Sequence, residues 1–292
     1  MNRRDALKNL PALAGAVQLA PAARAAAVKG RLRSAICCYS YRQELAKGKL
    51  TYEDVIRIAV ENDIDGLDMT VYWFPKEVTD DFLFKLKRLA YKNAVEIYSI
   101  AVRTEMTQRT PELQQKELAG LRRWVDIAEK LGAGHIRVFG GRIPKDATED
   151  QAAGWVIEVL KRGAEYAGKK GIILGIENHG GVTEKAETIV KIIKAVDSPW
   201  VGMNLDTGNF VHSPYESMQM CMPYASSVQV KVMLREQGKE RVPSDWDRIG
   251  GMLVKSGYSG YLALEYEEKE DTATAMPRLL KKLNEVVHKH SA

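Results

Sequence analysis

The chain has 292 residues, 45% hydrophobic and 28% charged, with a formal net charge of +5. That composition is globular, and three cysteines are too few for a disulfide-stapled scaffold. Residues 1–27 hold Arg3, Arg4, Lys8 and Arg24 against Asp5, so the remainder carries only about +2, which removes most of the case for a nucleic-acid surface.

The first 27 residues read as an export signal peptide. Adjacent arginines at Arg3 and Arg4 precede a weakly apolar stretch, and Ala23-Arg24-Ala25 or Ala25-Ala26-Ala27 supplies a small-residue cleavage pattern. The layout resembles a twin-arginine signal, with Ala6 where an aromatic residue or leucine is usual. It implies the Tat export machinery as a partner and a periplasmic or extracellular location. Pro11 and Pro21 break the apolar stretch too early for a membrane span.

From residue 28 onward, strand and helix patterns alternate. Strands are expected at 34–41, 66–74, 95–103, 135–141, 172–179, 201–209, 227–235 and 260–267. The intervening helices are expected at 52–61, 80–92, 111–131, 148–169, 183–196, 215–222 and 245–256, with a closing helix at 273–288. Pro111 suits a first helical turn, and Gly132 and Gly171 suit helix stops. Eight units of roughly 30 residues predict an α/β fold, a single-domain (βα)8 TIM barrel over residues 28–292. An open doubly wound sheet would more often carry a glycine-rich phosphate turn after its first strand, where this chain has Arg42-Gln43-Glu44-Leu45. Cys37, Cys38 and Cys221 read as small buried hydrophobes.

Four late strands carry Glu177, Asp206, Gln229 and Glu265 near their C-terminal ends, where barrel chemistry resides. Strand side chains alternate with period 2, so Val228, Val230, Val232 and Leu234 face one way while Gln229, Lys231, Met233 and Arg235 face the other. Glu177 and His179 share a face, and Gly202 and Gly208 share one with Asp206, leaving room for a ligand. Several carboxylates in one low-dielectric pocket repel one another unless a cation intervenes. The expectation is a metal site of three carboxylates and one amide oxygen. Mn2+ is the first choice, because hard oxygen donors suit Mn2+, Mg2+ or Ca2+ better than zinc, which favours nitrogen and sulfur; Mg2+, Ca2+, Co2+ and Zn2+ are the alternatives. For Lys231 and Arg137 an internal ion pair is the competing reading.

At Gly175-Ile176-Glu177-Asn178-His179, Asn204-Leu205-Asp206-Thr207-Gly208-Asn209, the Gln229–Arg235 spacing and the tail Gly257–Glu265, the chain resembles the sugar isomerase/epimerase superfamily of xylose isomerase-like TIM barrels. That superfamily includes ketose 3-epimerases, hydroxypyruvate isomerase and 3-keto-glycoside lyases. The resemblance implies metal ligands Glu177, Asp206, Gln229 and Glu265, with Glu177 and Glu265 also exchanging protons. His179, Asn209, Lys231, Arg235 and Arg137 are the implied substrate contacts. Gln229 and Asn209 stand where family epimerases place histidines. The implied activity is a metal-dependent isomerase or epimerase of a small-molecule sugar or keto-sugar, working through an enediolate. The alternatives are a 3-keto-glycoside lyase or hydratase using the same enolate and a non-catalytic sugar-binding protein. Homo-oligomerisation stays open. A DNA-repair endonuclease on this barrel would need a multi-zinc histidine cluster, which His135, His179, His212, His288 and His290 do not supply.

Overall fold

The computed structural model describes residues 31–291, so the expected leader at 1–27 lies outside the described residues. Eight parallel strands close a barrel. In chain order the strands are β1 (Leu32–Cys37), β2 (Gly66–Thr70), β3 (Glu96–Ala101), β4 (His135–Phe139), β5 (Ile173–Glu177), β6 (Val201–Asp206) and β7 (Ala225–Lys231), then a two-stranded ribbon of β8 (Met233–Leu234) and β9 (Val242–Pro243), then β10 (Gly260–Glu265). The barrel order is β1-β10-β7-β6-β5-β4-β3-β2, with β10 and β1 paired to complete the ring. The helices are α1 (Arg42–Ala46), α2 (Tyr52–Glu61), α3 (Asp80–Lys92), α4 (Pro111–Leu131), α5 (Glu149–Gly168), α6 (Ala186–Val196), α7 (Pro214–Cys221), α8 (Trp246–Lys255) and α9 (Thr272–His290). None is long and apolar enough to cross a membrane among the described residues.

Local signals explain the helix boundaries. Thr110 accepts from the Leu113 amide ahead of Pro111, and α4 stops at Gly132, whose φ of 85° is the left-handed cap that glycine adopts freely. Thr148 and Gln151 form a reciprocal capping box at α5, as Thr51 and Asp54 do at α2. On α4 the buried positions Leu118, Leu121, Val125 and Ala128 recur at helical spacing and pack onto the barrel wall.

The strands are shorter than the sequence pattern suggests, and each shortening has a cause. After Cys37 and after Thr70 the chain tightens into 3-10 turns, Cys38–Tyr41 and Val71–Trp73. β6 ends at Asp206 because its Oδ1 accepts from the Gly208 amide at 2.8 Å and turns the chain. β7 leaves the barrel after Lys231 and continues as the ribbon, so positions beyond it lose the barrel's alternation.

The barrel has two unlike surfaces. Its outer wall, including Ile36, Leu67, Ile136, Ile176, Leu205, Val230 and Leu264, joins the helices in one large apolar core. Inside, among the described residues, Ala35, Cys37, Tyr98 and Ala263 form a small apolar cluster against which Tyr39 and Tyr261 pack. Cys37 and Cys38 thus face opposite sides, and all three cysteines are buried and free. Tyr98 stacks on Tyr261 at a centroid distance of 3.9 Å, and Arg33 lies over Tyr261, sealing the N-terminal mouth. The remaining interior is polar, which directs chemistry to the C-terminal mouth.

Candidate active site

Strand register sets the site. Glu177 lies beside Asn204, Asp206 beside Gln229, and Glu265 beside Lys231 on neighbouring strands. Above them opens a cavity of about 290 Å3 lined by residues that include Tyr39, Tyr72, Arg137, Glu177, Lys231 and Glu265. Its volume suits a small molecule at the lower end of the usual range, roughly 300 Å3.

Glu177 is 3% exposed, with its Oε2 at 3.0 Å from Arg137 Nε. Asn209 donates to Glu177 Oε1 at 3.1 Å, and Asn204 reaches Oε2 at 3.4 Å. Arg137 also donates to the Val102 carbonyl and the Tyr72 hydroxyl, each at 3.0 Å. Burial pushes the Glu177 carboxyl well above its ordinary value, against the pull of Arg137 and helped by the charges of Asp206 and Glu265.

On the opposite side, Lys231 Nζ lies 2.8 Å from Glu265 Oε2 and 3.3 Å from Asp206 Oδ2, and it also pairs with Glu267. Burial alone would raise Glu265, but the charge and hydrogen bond of Lys231 outweigh it and hold the carboxyl below its ordinary value. Burial pushes Asp206 up to about 8, against Lys231 and with the Glu265 charge adding to the rise. The environments of the two glutamates therefore push them apart, the arrangement that lets one accept a proton while another supplies one.

Beneath this layer runs a chain of amides. Gln229 accepts from Asn204 Nδ2 at 2.9 Å through Oε1 and donates to Asp68 Oδ2 at 2.9 Å through Nε2. Asn178 grips the β6 backbone with two 2.9 Å bonds, donating to the Asp206 carbonyl and accepting from its amide.

The structure brings Arg137, Glu177, His179, Asn209, Lys231 and Glu265 to one cavity, with Asp206 and Gln229 buried below its floor. His179 lies at the rim with its ring centroid 4.1 Å from that of Phe139. Arg235 is not brought there. It falls beyond the end of β7 and is exposed in the ribbon loop, which corrects the sequence-based expectation. The room assigned to glycines is also filled by the chain itself. A Cβ on Gly208 would stand 2.5 Å from Lys231 Cγ, and one on Gly202 would stand 2.7 Å from Ser226 Cβ. Both predicted ion pairs are present, Arg137 with Glu177 and Lys231 with Asp206 and Glu265.

Sequence reasoning missed Asp68, Asn204, Glu267, Arg103 and the aromatic wall. Asp68 is fully buried, and its Oδ1 has no hydrogen-bond partner. Its signal was an acid inside the apolar run Leu67-Asp68-Met69. Tyr39 and Tyr72 follow directly on strands, and Arg103 stacks over Tyr72 at 4.0 Å.

The expected four-oxygen ligand set does not fit a divalent ion as it stands. Three of its members hold cationic side chains, and the Gln229 oxygen is turned to Asn204. Among the described residues, no group of three or more His, Cys, Asp or Glu side chains is placed to hold a metal.

His135 lies lower in the barrel, where Nδ1 meets Ser99 Oγ at 2.9 Å and Nε2 meets Ser226 Oγ at 3.2 Å. Burial, with the nearby Arg137 charge, pushes it down to about 3. An unfolded histidine takes a proton near pH 6.5, so between there and about 3 the unfolded state binds more protons and stability falls as pH falls. Going from pH 7 to 5, this one group costs about 2 kcal/mol. Urea titrations of wild type and His135→Gln at both pH values test it: the variant's loss should be smaller by about that amount, and equal losses would show that His135 is not buried neutral.

The sequence profile of xylose isomerase-like TIM barrels matches residues 56–283. The chain belongs to that family. An inosose dehydratase from Geobacillus kaustophilus (strain HTA426) is 25% identical over 201 residues, covering 56% of this chain and 65% of the dehydratase, just under two thirds of its length. A D-allulose 3-epimerase from Methylomonas sp. superposes with a TM-score of 0.70 at 16% identity, covering 91% of this chain and 100% of that one. A 3-keto-D-glucoside 4-epimerase from E. coli superposes with a TM-score of 0.66 at 14% identity, covering 80% and 94%. At such identities the two structures share the fold, and the chemistry has to be argued from this chain's own residues.

Proposed function

We propose that this protein binds a keto-sugar at the C-terminal mouth of the barrel and moves a proton at the carbon beside the carbonyl. One observation carries the reading: Glu177 and Glu265 line the same small cavity as Arg137 and Lys231. Two carboxyl groups with opposed proton affinities, flanked by two fixed cations, are what an α-proton transfer requires. The family and its epimerase and dehydratase relatives support the same class of reaction.

In this reading Glu265, kept ionised by Lys231, takes the α-proton. The electron pair moves onto the carbonyl oxygen, and Arg137 and Lys231 hold the developing negative charge in a site largely closed to water. Glu177, whose burial favours its protonated form, returns a proton to the opposite face of that carbon and completes epimerisation. His179 and Asn209 orient the substrate from the rim. No step is routed through a metal. Whether Mn2+ occupies the expected ligand set is decided by metal analysis of the protein. Export by the twin-arginine route is part of the proposal, and it points to free sugars or glycosides rather than cytoplasmic sugar phosphates.

A second outcome of the same enolate has structural support. A cavity of about 590 Å3 abuts the first and shares Arg103, Phe139 and His179 with it. That space would take the second unit of a glycoside. If a glycosidic oxygen lies β to the ketone, the enolate expels it, the C–O bond breaks, and the departing oxygen takes the proton. The product is then an unsaturated keto-sugar and the free aglycone. Incubation with a panel of free ketoses and with a 3-keto-disaccharide, read by NMR and mass spectrometry, separates the outcomes. An epimer at unchanged mass supports epimerisation, and aglycone release supports elimination. No turnover of either class, with both glutamates intact, would leave a sugar-binding protein and sink the enzymatic reading.

A further inference from the structure

The cationic arrangement carries a conclusion that rests on the reading above: we propose that Lys231 is the resident cation of this site, standing where the expected divalent metal would bind, so that the protein needs no metal. The geometry is specific. Lys231 Nζ lies 2.8 Å from Glu265 Oε2 and 3.3 Å from Asp206 Oδ2, and it pairs with Glu267 as well. Two of the four expected metal ligands therefore already meet on one ammonium. The third, Glu177, is held by Arg137 at 3.0 Å, and the fourth, Gln229, is spent on Asn204 and Asp68.

The fold is built to deliver this ammonium. Register on β7 and β10 sets Lys231 directly beside Glu265. The Lys231 amide donates to Thr207 Oγ1 at 3.0 Å, and Trp246 Nε1 donates to the Lys231 carbonyl at 2.8 Å, which fixes the backbone. The stem passes over Gly208, where any Cβ would stand 2.5 Å from Lys231 Cγ. Only glycine leaves that path open, which explains a small residue in the turn after β6, six positions before α7 begins at Pro214, better than free space for substrate does.

The fixed cations sit among the expected ligands: Glu177 meets the Arg137 guanidinium, and Asp206 and Glu265 meet the Lys231 ammonium. A divalent ion added to these would place two cationic centres in contact, or force Lys231 out of the place the backbone prepares for it. Gln229 fits the same picture, because a neutral amide suffices where no metal has to be held. With substrate bound, the ammonium donates to the carbonyl oxygen and carries the charge of the enediolate, as a Lewis acid would. The electron pair leaving the C–H bond ends on that oxygen, and the proton goes to Glu265.

Metal analysis of the full chain gives the first test. Elemental analysis after dialysis should find far less than one transition-metal ion per chain. The melting temperature should be unmoved by EDTA or by added Mn2+. In Lys231→Ala the carboxylates lose their cation, and Mn2+ should now raise the melting temperature. Lys231→Met should lower turnover of whichever keto-sugar is accepted by roughly 10²-fold, with EDTA leaving the wild type unaffected. A stoichiometric metal in the wild type, or a melting temperature that falls with EDTA and recovers with Mn2+, would overturn the proposal. These two readouts need no substrate, so they decide about Lys231 even if the assigned reaction proves wrong. They also stand on the wild type alone if either variant fails to fold.

Discussion

Glu265→Gln is expected to lower turnover by about 10²–10⁴-fold while the barrel stays folded. The amide keeps a hydrogen-bond acceptor near Lys231 but cannot take a proton. Glu177→Gln should cost a similar factor, and the two variants should differ in a way that identifies their roles. With the α-proton of one epimer replaced by deuterium, Glu177→Gln should still wash the label out, because Glu265 still removes it, yet make no product. Glu265→Gln should fail to exchange that epimer and still exchange the opposite one. Turnover in either variant within about tenfold of wild type would remove that glutamate from the proton path.

The largest stability effect is expected at Arg137. This side chain is 3% exposed, and Arg137→Met would leave the buried Glu177 carboxyl without its guanidinium partner, and the Val102 carbonyl and Tyr72 hydroxyl without a donor. Breaking such a pair costs about 3–5 kcal/mol, which for a chain of this size is a fall of roughly 10 °C in Tm. Removing both charges in Arg137→Met/Glu177→Leu should recover more than half of that, since an apolar pair of similar volume needs no compensation. It should restore no activity. If the double variant is as unstable as the sum of the single ones, the ion pair is not what Arg137 contributes. Its bonds to the Val102 carbonyl and Tyr72 would then be the main term.

Much of the fold was legible because barrel strands and their helices repeat simple patterns. The Pro111 start and Gly132 stop of α4 coincide with the expected bounds, since caps are local chemistry. Strand ends were less legible. Alternation continues on paper through Asn209 and Arg235, but Asp206 turns its own backbone and β7 departs into the ribbon after Lys231. That is why Arg235 was placed in the site and is found exposed.

The site was legible as a cluster, with Arg137 and Lys231 as candidate internal cations, but which carboxylate each one meets was not. Period 2 puts Glu177, Asp206, Gln229 and Glu265 on inward faces. It does not say that Lys231 lies beside Glu265, because that depends on register between strands separated in sequence by α8. Asp68 was missed for the same reason: it meets Gln229 only across the closed barrel. The glycines were read as space, whereas Gly208 is the passage for the Lys231 stem.

Proton NMR of an accepted keto-sugar in deuterium oxide reports on the carbon–hydrogen bond itself. Loss of the signal at the carbon next to the ketone, at a rate at least equal to product formation and abolished in the Glu177→Gln/Glu265→Gln double variant, is the predicted result. Product that forms with that hydrogen fully retained at its carbon across many turnovers, or an exchange rate unchanged in the double variant, would contradict the account.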